Sequence, residues 1–438
     1  MTRRLILALA FLAVFLAAPA MAAKPLRVIS PGGIEAWLIE DRANPMLSLE
    51  MAWRDSGSAF DPAEKEGLSK LLAGTLDEGA GSYDSQAFQR KLEDLSIKLS
   101  FSAGADMLHG HLTTLSRHRA EAFRLLKLAM TEPRFDEAAV QRVKGQMQAA
   151  IAQSSEDPQS LASRTWFRVA FPNHPYGRDA QGSRESLSAI SAGDLREAAK
   201  RLGRGNLILG VVGDITPQEL GRLLDSSFGS LPAKATAGNL AEAEVAVPQP
   251  GIKPLVIKKD IPQSVVQFGL QGIKRGDPDW FAGYVLNYIL GGGGFASRLM
   301  VEIREKRGLA YSAYSYLYPL DHAGIWLGGV ATKNEKVAQS ISLVRKELAR
   351  LSAQGVTAKE LADAKTYLTG SFPLRYDSNA NIAGLLVAVQ SDNLGLDYLD
   401  KRNQLVEAVT EADIARVAQR LMKPENLIVI VVGKPKGL

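Results

Sequence analysis

Two side chains in the second half of the chain, Arg304 and Tyr311, have the chemistry and spacing to hold a carbonyl oxygen. They follow a glycine run, Gly291–Gly294, and the short segment Phe295–Ser297. Four consecutive glycines favour a mobile loop with positive φ angles, because glycine loses more backbone entropy in regular structure than any other residue. A guanidinium and a neutral phenol beside such a loop could hold a peptide carbonyl, or stabilise the oxyanion formed during peptide hydrolysis.

The elements around this pair are predicted to bring it together. Ser297 is expected to cap a short helix that carries Arg304 in its last turn. The segment Leu309–Leu317 alternates like a strand, with Tyr311 on the same side as Ala313. The two side chains therefore leave a helix end and a strand start and could converge on one point. An alternative stays open, in which Arg304 pairs with a nearby glutamate and Tyr311 packs in the core.

The glycine run is also compatible with a loose nucleotide-binding pattern. Gly291, Gly293 and Ala296 satisfy G-x-G-x-x-A, but that fingerprint requires a preceding strand. The segment Asp279–Leu290 has instead the length and apolar spacing of a helix. No phosphate loop of the form G-x-x-x-x-G-K-[ST] occurs, so the sequence does not favour a nucleotide site.

Composition limits the class of protein. The 438 residues are 46% hydrophobic and 23% charged, which is typical of large globular domains and not of disorder. There is no cysteine, which excludes disulfides, a thiol nucleophile and a zinc-thiolate site. The formal charge of +5 is small for so long a chain and shows no basic stripe, so no nucleic-acid partner is expected.

The first residues have the pattern of a secretory signal peptide. A positive start, Met1–Arg4, precedes an apolar run, Leu5–Ala18, and small residues stand at Ala20 and Ala22. We expect cleavage after Ala22 and export to the periplasm. No other apolar stretch approaches this length, so no membrane span is expected after signal removal.

A long internal repeat indicates a duplicated domain. The segment Ile190–Gly213 reappears, with one inserted residue, as Val409–Gly433, and each copy reads as a capped helix, a turn and a buried strand. We predict a signal peptide over residues 1–22, an N-terminal domain over 24–235, a linker over 236–252 and a C-terminal domain over 253–438. The predicted fold class is α+β, with two tandem homologous domains, each a mixed, mostly antiparallel sheet layered against helices.

Two local predictions in the first half bear on the site. The pattern over Leu26–Ile39 reads as one strand. Asp61 and the proline after it read as the start of one helix that continues to Gly79. Leu68 and Leu76 belong to the apolar stripe of this helix, which predicts that one of its faces is buried.

Segments spread over nearly all of the chain carry a family resemblance. They are Gly57–Ser69, Pro172–Gly177 with Gly182, Asn206–Asp214, Ser297–Leu299 and Arg304–Tyr311. On these segments the chain resembles the pitrilysin/insulinase-type zinc peptidase family, in its short two-domain form that includes mitochondrial processing peptidase. The resemblance implies a pair of similar α+β domains, dimers that close around a chamber, and hydrolysis of extended peptides.

The positions that resemble the family's zinc site hold the wrong residue types. The family's His-x-x-Glu-His motif falls on Lys70, Ala73 and Gly74, and its distal glutamate falls near Ala149 or Ala150. A protonated lysine cannot bind zinc, and alanine and glycine offer neither a ligand nor a general base. We therefore expect no cofactor in this chain and zinc in a partner chain.

Other routes to a self-sufficient enzyme are weaker. His109 and His111 would share one strand face and could form part of a metal site, but no third ligand has a recognisable spacing to them. No G-x-S-x-G elbow is present, so a stand-alone hydrolase has no visible nucleophile.

The resemblance assigns roles to the second half. In the family, an arginine and a tyrosine seven residues later, here Arg304 and Tyr311, contact substrate near the scissile bond. The glycine loop resembles, in shortened form, the substrate-recognition loop of the non-catalytic subunit of mitochondrial processing peptidase. The substrate-binding residues that the resemblance implies are Gly291, Gly292, Gly293, Gly294, Phe295 and Ser297.

The expected function follows from this division. The chain is predicted to be the non-catalytic, substrate-binding subunit of a heterodimeric zinc metallopeptidase. Its expected partners are a homologous peptidase subunit bearing His-x-x-Glu-His and a peptide or unfolded polypeptide substrate, and it would supply Arg304 and Tyr311 in trans. The alternative is a catalytically inactive, peptidase-like binding or scaffold protein of the cell envelope.

Overall fold

The computed structural model describes residues 24–236, 238–249 and 251–438. The predicted signal peptide, residues 1–22, lies outside these described residues. Within the described ranges, no helix combines the length and the apolar character that crossing a membrane requires.

The first half forms a six-stranded sheet. Its strands are β1 (Leu26–Ile29), β2 (Glu35–Glu40), β3 (Met46–Trp53), β4 (Lys98–Ala103), β5 (Leu108–Leu115) and β6 (Leu207–Gly213). Their order is β1-β2-β6-β3-β5-β4, and only the β2–β6 pair is parallel. The strand predicted over Leu26–Ile39 is wrong as a single element, because Pro31 and the two glycines after it turn the chain into a β1–β2 hairpin.

The helices of the first half are mostly amphipathic and pack on this sheet. They are α1 (Leu68–Ala73), α2 (Ser85–Asp94), α3 (Arg119–Thr131), α4 (Glu137–Glu156), α5 (Pro158–Ala170), α6 (Arg184–Ala189), α7 (Ala192–Ala199) and α8 (Pro217–Phe228). All of them except α5 contribute buried residues to one large core with the sheet.

The second half repeats the arrangement with a five-stranded sheet. Its strands are β7 (Leu255–Lys258), β8 (Gln263–Gln271), β9 (Ala310–Pro319), β10 (Gly324–Lys333) and β11 (Ile428–Gly433), in the order β7-β11-β8-β10-β9. Only β7–β11 is parallel. The helices are α9 (Trp280–Asn287), α10 (Val337–Gln354), α11 (Ala358–Gly370), α12 (Asn379–Ser391), α13 (Tyr398–Glu407) and α14 (Glu411–Leu421).

The predicted fold class is confirmed, because both sheets are mixed, mostly antiparallel and layered against helices. The repeat appears as α7 followed by β6 and α14 followed by β11. Both helices begin with a capping box, in which Ser191 pairs with Asp194 and Thr410 pairs with Asp413. Strands β6 and β11 occupy matching places, each between the sheet's parallel partner and its first long antiparallel strand.

One helix of each half packs on the sheet of the other half. Helix α5 of the first half lies against β8 and β11, where Trp166 is fully buried beside Ile430. Helix α12 of the second half lies against β3 and β6, where Leu386 is fully buried beside Val212. The two halves therefore share their cores through these exchanged helices.

The helix predicted from Asp61 to Gly79 is wrong in its extent. Residues 63–65 form a separate 3₁₀ turn, and α1 covers only Leu68–Ala73. Gly67 separates them with a φ of 90°, a left-handed conformation that a helix interior does not tolerate. The predicted burial of this region is confirmed, since Leu68 and Leu76 are buried.

Candidate functional site

Arg304 and Tyr311 converge, as their spacing predicts, and Phe295 joins them. The Cζ atom of Arg304 lies 4.6 Å from the centre of the Tyr311 ring and 4.5 Å from the centre of the Phe295 ring. Both distances are within cation–π range. Tyr311 is 82% exposed and Phe295 is 61% exposed, so solvent reaches the outer faces of the cluster. We call Phe295, Arg304 and Tyr311 the stacked cluster.

The alternative of a structural Arg304–Glu pair and a core Tyr311 is wrong. Glu302, two residues before Arg304, accepts hydrogen bonds from Lys306 and Arg307, each at 2.6 Å. Across the residues that the structure describes, no carboxylate lies within 4 Å of Arg304. The guanidinium is stacked but keeps donors available for a ligand.

A β-bulge exposes Tyr311. Strand β9 pairs with β10 in regular register up to Ala313, opposite Val330, and the register then shifts so that Ala310 faces Thr332. One extra residue on β9 therefore breaks the alternation. Ala313 is buried while Tyr311 points outward, so the predicted placement of both on one side is wrong.

Buried apolar side chains hold the turn that carries Arg304 in place. It is a π-helical turn over Met300–Glu305, and its apolar residues Met300 and Ile303 are buried. Ser297 does not cap it through its side chain, because its Oγ donates instead to the Gly294 carbonyl at 2.7 Å. This hydrogen bond stabilises the preceding turn, residues 294–296.

Arg298 fixes the start of this turn to the body of the second half. Its buried guanidinium donates two hydrogen bonds to the carboxylate of Glu360, at 2.7 and 2.8 Å, and a third to the Gly355 carbonyl. Despite burial, these donors and the cap at Thr357 hold the pKa of Glu360 down at about 2. The sequence analysis missed Arg298, because only the fold brings α11 beside it.

The glycine run is more ordered than the predicted loop. Helix α9 continues as a π-helical turn over Tyr288–Gly292, and residues 294–296 form a 3₁₀ turn. Gly291 is buried, and a Cβ there would lie 2.5 Å from the Ser315 amide nitrogen of β9. Of the predicted substrate-binding residues, Gly292, Gly294 and Phe295 are exposed, Gly293 is half-buried, and Gly291 and Ser297 are buried. Their role in binding stays a prediction.

The counterpart region in the first half does not fit a zinc ion. Lys70 and Ala73 lie on α1, whose N-terminal end is held by Asp61, a buried carboxylate that accepts from the Ser69 amide at 3.0 and 3.1 Å. A lysine, an alanine and a glycine supply no zinc ligand and no general base here. Among the described residues, no three acidic or histidine side chains gather into a metal-binding group.

The two candidate strand histidines lie on β5, and no described residue completes a metal-binding group with them. The ring of His111 is hydrogen-bonded to Glu50 through Nδ1 and to Thr113 through Nε2, at 3.0 Å for the latter. His109 lies two residues earlier on the same strand face, and desolvation lowers its pKa. His111 is thus engaged by neighbours on its own sheet.

A cavity of about 480 Å³ opens between the two halves, beside Lys70. Strand β9 contributes Tyr316 and Tyr318 to its wall, and helix α5 contributes Arg164 and Phe167. The tyrosines follow Tyr314 on one face of β9, with ring centres 6.2 and 6.4 Å apart. The sequence analysis missed this cavity, although the alternating tyrosines in β9 were a visible signal of an aromatic strand face.

A hydrogen-bonded junction joins the halves next to this cavity. The Tyr176 hydroxyl donates to Asp106, and the amides of Asp321 and His322 donate to Asp106 and to the Tyr176 oxygen, both at 3.1 Å. Burial, reinforced by the nearby Asp106 carboxylate, raises the pKa of Asp321 to about 6. The junction thus holds two carboxylates close together at the turn between β9 and β10.

Comparisons with known proteins agree with this architecture. The family profile described as insulinase (peptidase family M16) matches residues 47–183, and the one described as peptidase M16 inactive domain matches residues 189–368. The non-peptidase homolog YmxG of Helicobacter pylori is 33% identical over 341 residues, which cover 77% of this chain and 78% of the homolog. A probable mitochondrial-processing peptidase subunit beta of Schizosaccharomyces pombe is 23% identical over 408 residues, covering 88% of this chain and 86% of that protein.

The same class of fold is found among solved structures. The peptidase M16 inactive domain from Pseudomonas fluorescens has a TM-score of 0.87 and 28% identity, and the match covers 94% of this chain and 98% of that chain. The two sheets, the exchanged helices and the altered zinc positions thus define a two-domain, peptidase-like protein. The chain belongs to peptidase family M16, the insulinase family, which confirms the predicted resemblance.

Proposed function

We propose that this protein is the non-catalytic, substrate-binding subunit of a two-chain zinc metallopeptidase. In this assignment the zinc and its activated water belong to a homologous partner chain that carries the His-x-x-Glu-His motif. This chain closes the chamber, binds an extended peptide and supplies Arg304 and Tyr311 near the scissile bond.

One observation carries the proposal: Arg304 is half-buried and stacked, and it has no carboxylate partner among the residues that the structure describes. A guanidinium that serves only the fold is normally paired or covers apolar surface. Here Phe295 and Tyr311 hold its plane, the neighbouring Glu302 is bonded to other cations, and the N–H groups remain available. Such a preorganised donor can stabilise charge that develops on a carbonyl oxygen.

Two further points support a subunit role. The residues at Lys70, Ala73 and Gly74 cannot bind the catalytic metal, so peptide hydrolysis needs the zinc of another chain. The relative from Schizosaccharomyces pombe is named as a subunit. The signal pattern over residues 1–22 supports assembly in the periplasm, which the cellular location of a full-length tagged protein would test.

The test is co-expression with a candidate partner that carries His-x-x-Glu-His, followed by purification and a peptidase assay. We expect Tyr311→Phe to leave the complex assembled and to lower kcat/KM at least tenfold, because the ring keeps its stack while the phenolic donor is lost. Loss of one such donor typically costs about 10²–10³ in rate.

A matched control is Tyr367→Phe, because Tyr367 is also an exposed tyrosine of the second half but stacks on Tyr288. That variant should keep the activity of the unaltered complex. Full turnover by an assembled Tyr311→Phe complex would refute the assignment. If the complex binds peptide but does not hydrolyse it with any partner, the alternative of an inactive binding protein is favoured. The Helicobacter pylori relative is named a non-peptidase homolog.

A further inference from the structure

Lys70 is unusual among the cations around the interdomain cavity because it has no partner. Arg164 is bonded to Asp179 at 3.0 Å and to the Ser154 carbonyl at 3.1 Å, and Arg178 donates to the Asp61 carbonyl at 2.8 Å. Throughout the described parts of the chain, Lys70 Nζ has neither a hydrogen bond nor a carboxylate within 4 Å. The ammonium is half-buried and uncompensated.

This placement has an electrostatic cost that a ligand can remove. Burial lowers the pKa of Lys70, and Asp179 opposes the shift without forming an ion pair with it. With Lys70, Arg164 and Arg178 against Asp179, the cavity wall carries more positive than negative charge. An anion that enters the cavity would find one unpaired ammonium in a region where charge interactions are stronger than in water.

The remaining wall selects the kind of anion. Tyr316 and Tyr318 line the cavity, and burial raises the pKa of Tyr316 to about 12, so its hydroxyl stays a donor. Phe167 and the methyl groups of Ala59 and Ala105 give the cavity an apolar side. A carboxylate attached to an apolar or aromatic body satisfies both sides of this wall, and about 480 Å³ is within the size range of ligand pockets.

We propose that the interdomain cavity binds a carboxylate group of a peptide, with the Lys70 ammonium as its counter-ion and the hydroxyls of Tyr316 and Tyr318 as further donors. Lys70 stands at the position of the first zinc ligand in the family motif, so the cavity carries a cationic side chain at a position where the motif would have a metal ligand. The inference goes beyond the proposed function, because it needs neither a partner chain nor Arg304 and Tyr311.

The carboxylate has two possible sources, a peptide C-terminus and an acidic side chain. Three acetylated tripeptides separate them: acetyl-Ala-Ala-Phe with a free carboxylate, its C-terminal amide, and acetyl-Ala-Glu-Phe-amide. Binding to the purified chain is measured by isothermal titration calorimetry. We expect the free acid, the glutamate peptide or both to bind at least tenfold more tightly than the neutral amide, since hydrogen bonds to charged groups are the stronger ones.

Variants then assign the preference to Lys70. Lys70→Met keeps the length and apolar stem of the side chain and should abolish the preference for charged peptides, while Lys70→Arg should retain it. Lys200→Met is the control, because Lys200 is an exposed lysine that is paired with Glu197. Melting temperatures establish that each variant is folded, and the comparison of the three peptides on the unaltered protein stands even if Lys70→Met does not fold.

The outcomes are decisive in both directions. Equal binding of the three peptides, no measurable binding of any of them, or an unchanged preference in folded Lys70→Met would overturn the proposal. Tyr311→Phe should leave the preference intact, so failure of the carboxylate site and failure of the proposed subunit role give different results.

Discussion

Two regions of the molecule differ in the surroundings of their charged residues. One is the region around Lys70 in the first half, and the other is the stacked cluster in the second half. Helix α1 is packed in the core, and Lys70, Ala73 and Gly74 stand at the three positions of the zinc motif. In the stacked cluster, Arg304 contacts two exposed rings and has no carboxylate within 4 Å in the described part of the chain. The zinc-motif positions and the stacked cluster lie on separate elements, so a change at one region need not alter the other.

Metal content gives the largest contrast between the two regions. The purified chain, incubated with zinc and dialysed, should hold well below one zinc per molecule, because α1 offers no ligand set. Mass spectrometry of the metal content checks this, with the co-expressed complex as the positive control. One tightly bound zinc per isolated chain, together with peptidase activity, would contradict the prediction that the region around Lys70 cannot bind the metal.

Gly291→Ala tests whether the second region depends on packing as well as on chemistry. The new Cβ would lie 2.5 Å from the backbone nitrogen of Ser315, so the π-helical turn over Tyr288–Gly292 and β9 must move apart. We expect the free energy of unfolding to fall by about 1–3 kcal/mol, measured by chemical denaturation.

The control for that variant is Gly276→Ala. Its Cβ would meet no atom within 4 Å, so stability should change by less than about 0.5 kcal/mol. If both alanine variants were equally stable, the glycine run would be a mobile loop after all, as the sequence pattern predicts.

The titration of Asp321 tests how the junction between the two halves contributes to the stability of the fold. Because its pKa is raised to about 6 in the folded protein, the folded state holds this proton more tightly than the unfolded state. Its contribution to stability is therefore fully present below about pH 4 and is lost as pH rises to about 6.

Asp321→Asn should remove this loss of stability with rising pH. With about 1.4 kcal/mol per pKa unit and solvent screening of a half-buried group, we expect a gain of about 1 kcal/mol at pH 7 and little change at pH 4. Denaturation at both pH values measures it. Asp363→Asn, at an exposed position paired with Lys359, is the control, and an equal gain there would remove the junction from the explanation.

Phe295→Ala gives the smallest expected effect and isolates one face of the stack. An exposed cation–π contact contributes about 0.5–1 kcal/mol, which corresponds to a two- to fivefold loss of kcat/KM in the assembled complex. Phe295→Tyr keeps a ring there and should retain activity. A loss as large as that expected for Tyr311→Phe would mean that Phe295 contacts substrate directly.

Local patterns in the sequence predicted the features that depend on neighbours along the chain. The approach of Arg304 and Tyr311 follows from a helix end and a strand start seven residues apart, and the repeat of α7–β6 as α14–β11 follows from direct similarity. The family resemblance places the zinc motif on Lys70, Ala73 and Gly74, and the types of these residues then exclude a metal site there. The family resemblance was needed to give these features a functional meaning.

Features that depend on distant segments could not be predicted in this way. The bulge that exposes Tyr311 is set by the register with β10, and the amphipathic pattern of β9 alone cannot reveal it. The cavity beside Lys70 combines α1, α5 and β9, which are far apart in the chain. A helix pattern shows that α5 has an apolar face, but not that this face meets the sheet of the other half.

The exchange of α5 and α12 has a consequence for any attempt to divide the chain. A fragment that ends at the connecting segment, residues 236–252, would leave the apolar side of α5 and a bare surface of β6 in water, because α12 is on the other fragment. After proteolytic cleavage in that segment, we expect the two pieces to stay associated and to elute together in size-exclusion chromatography. Neither piece alone covers the apolar surfaces that the exchanged helices bury.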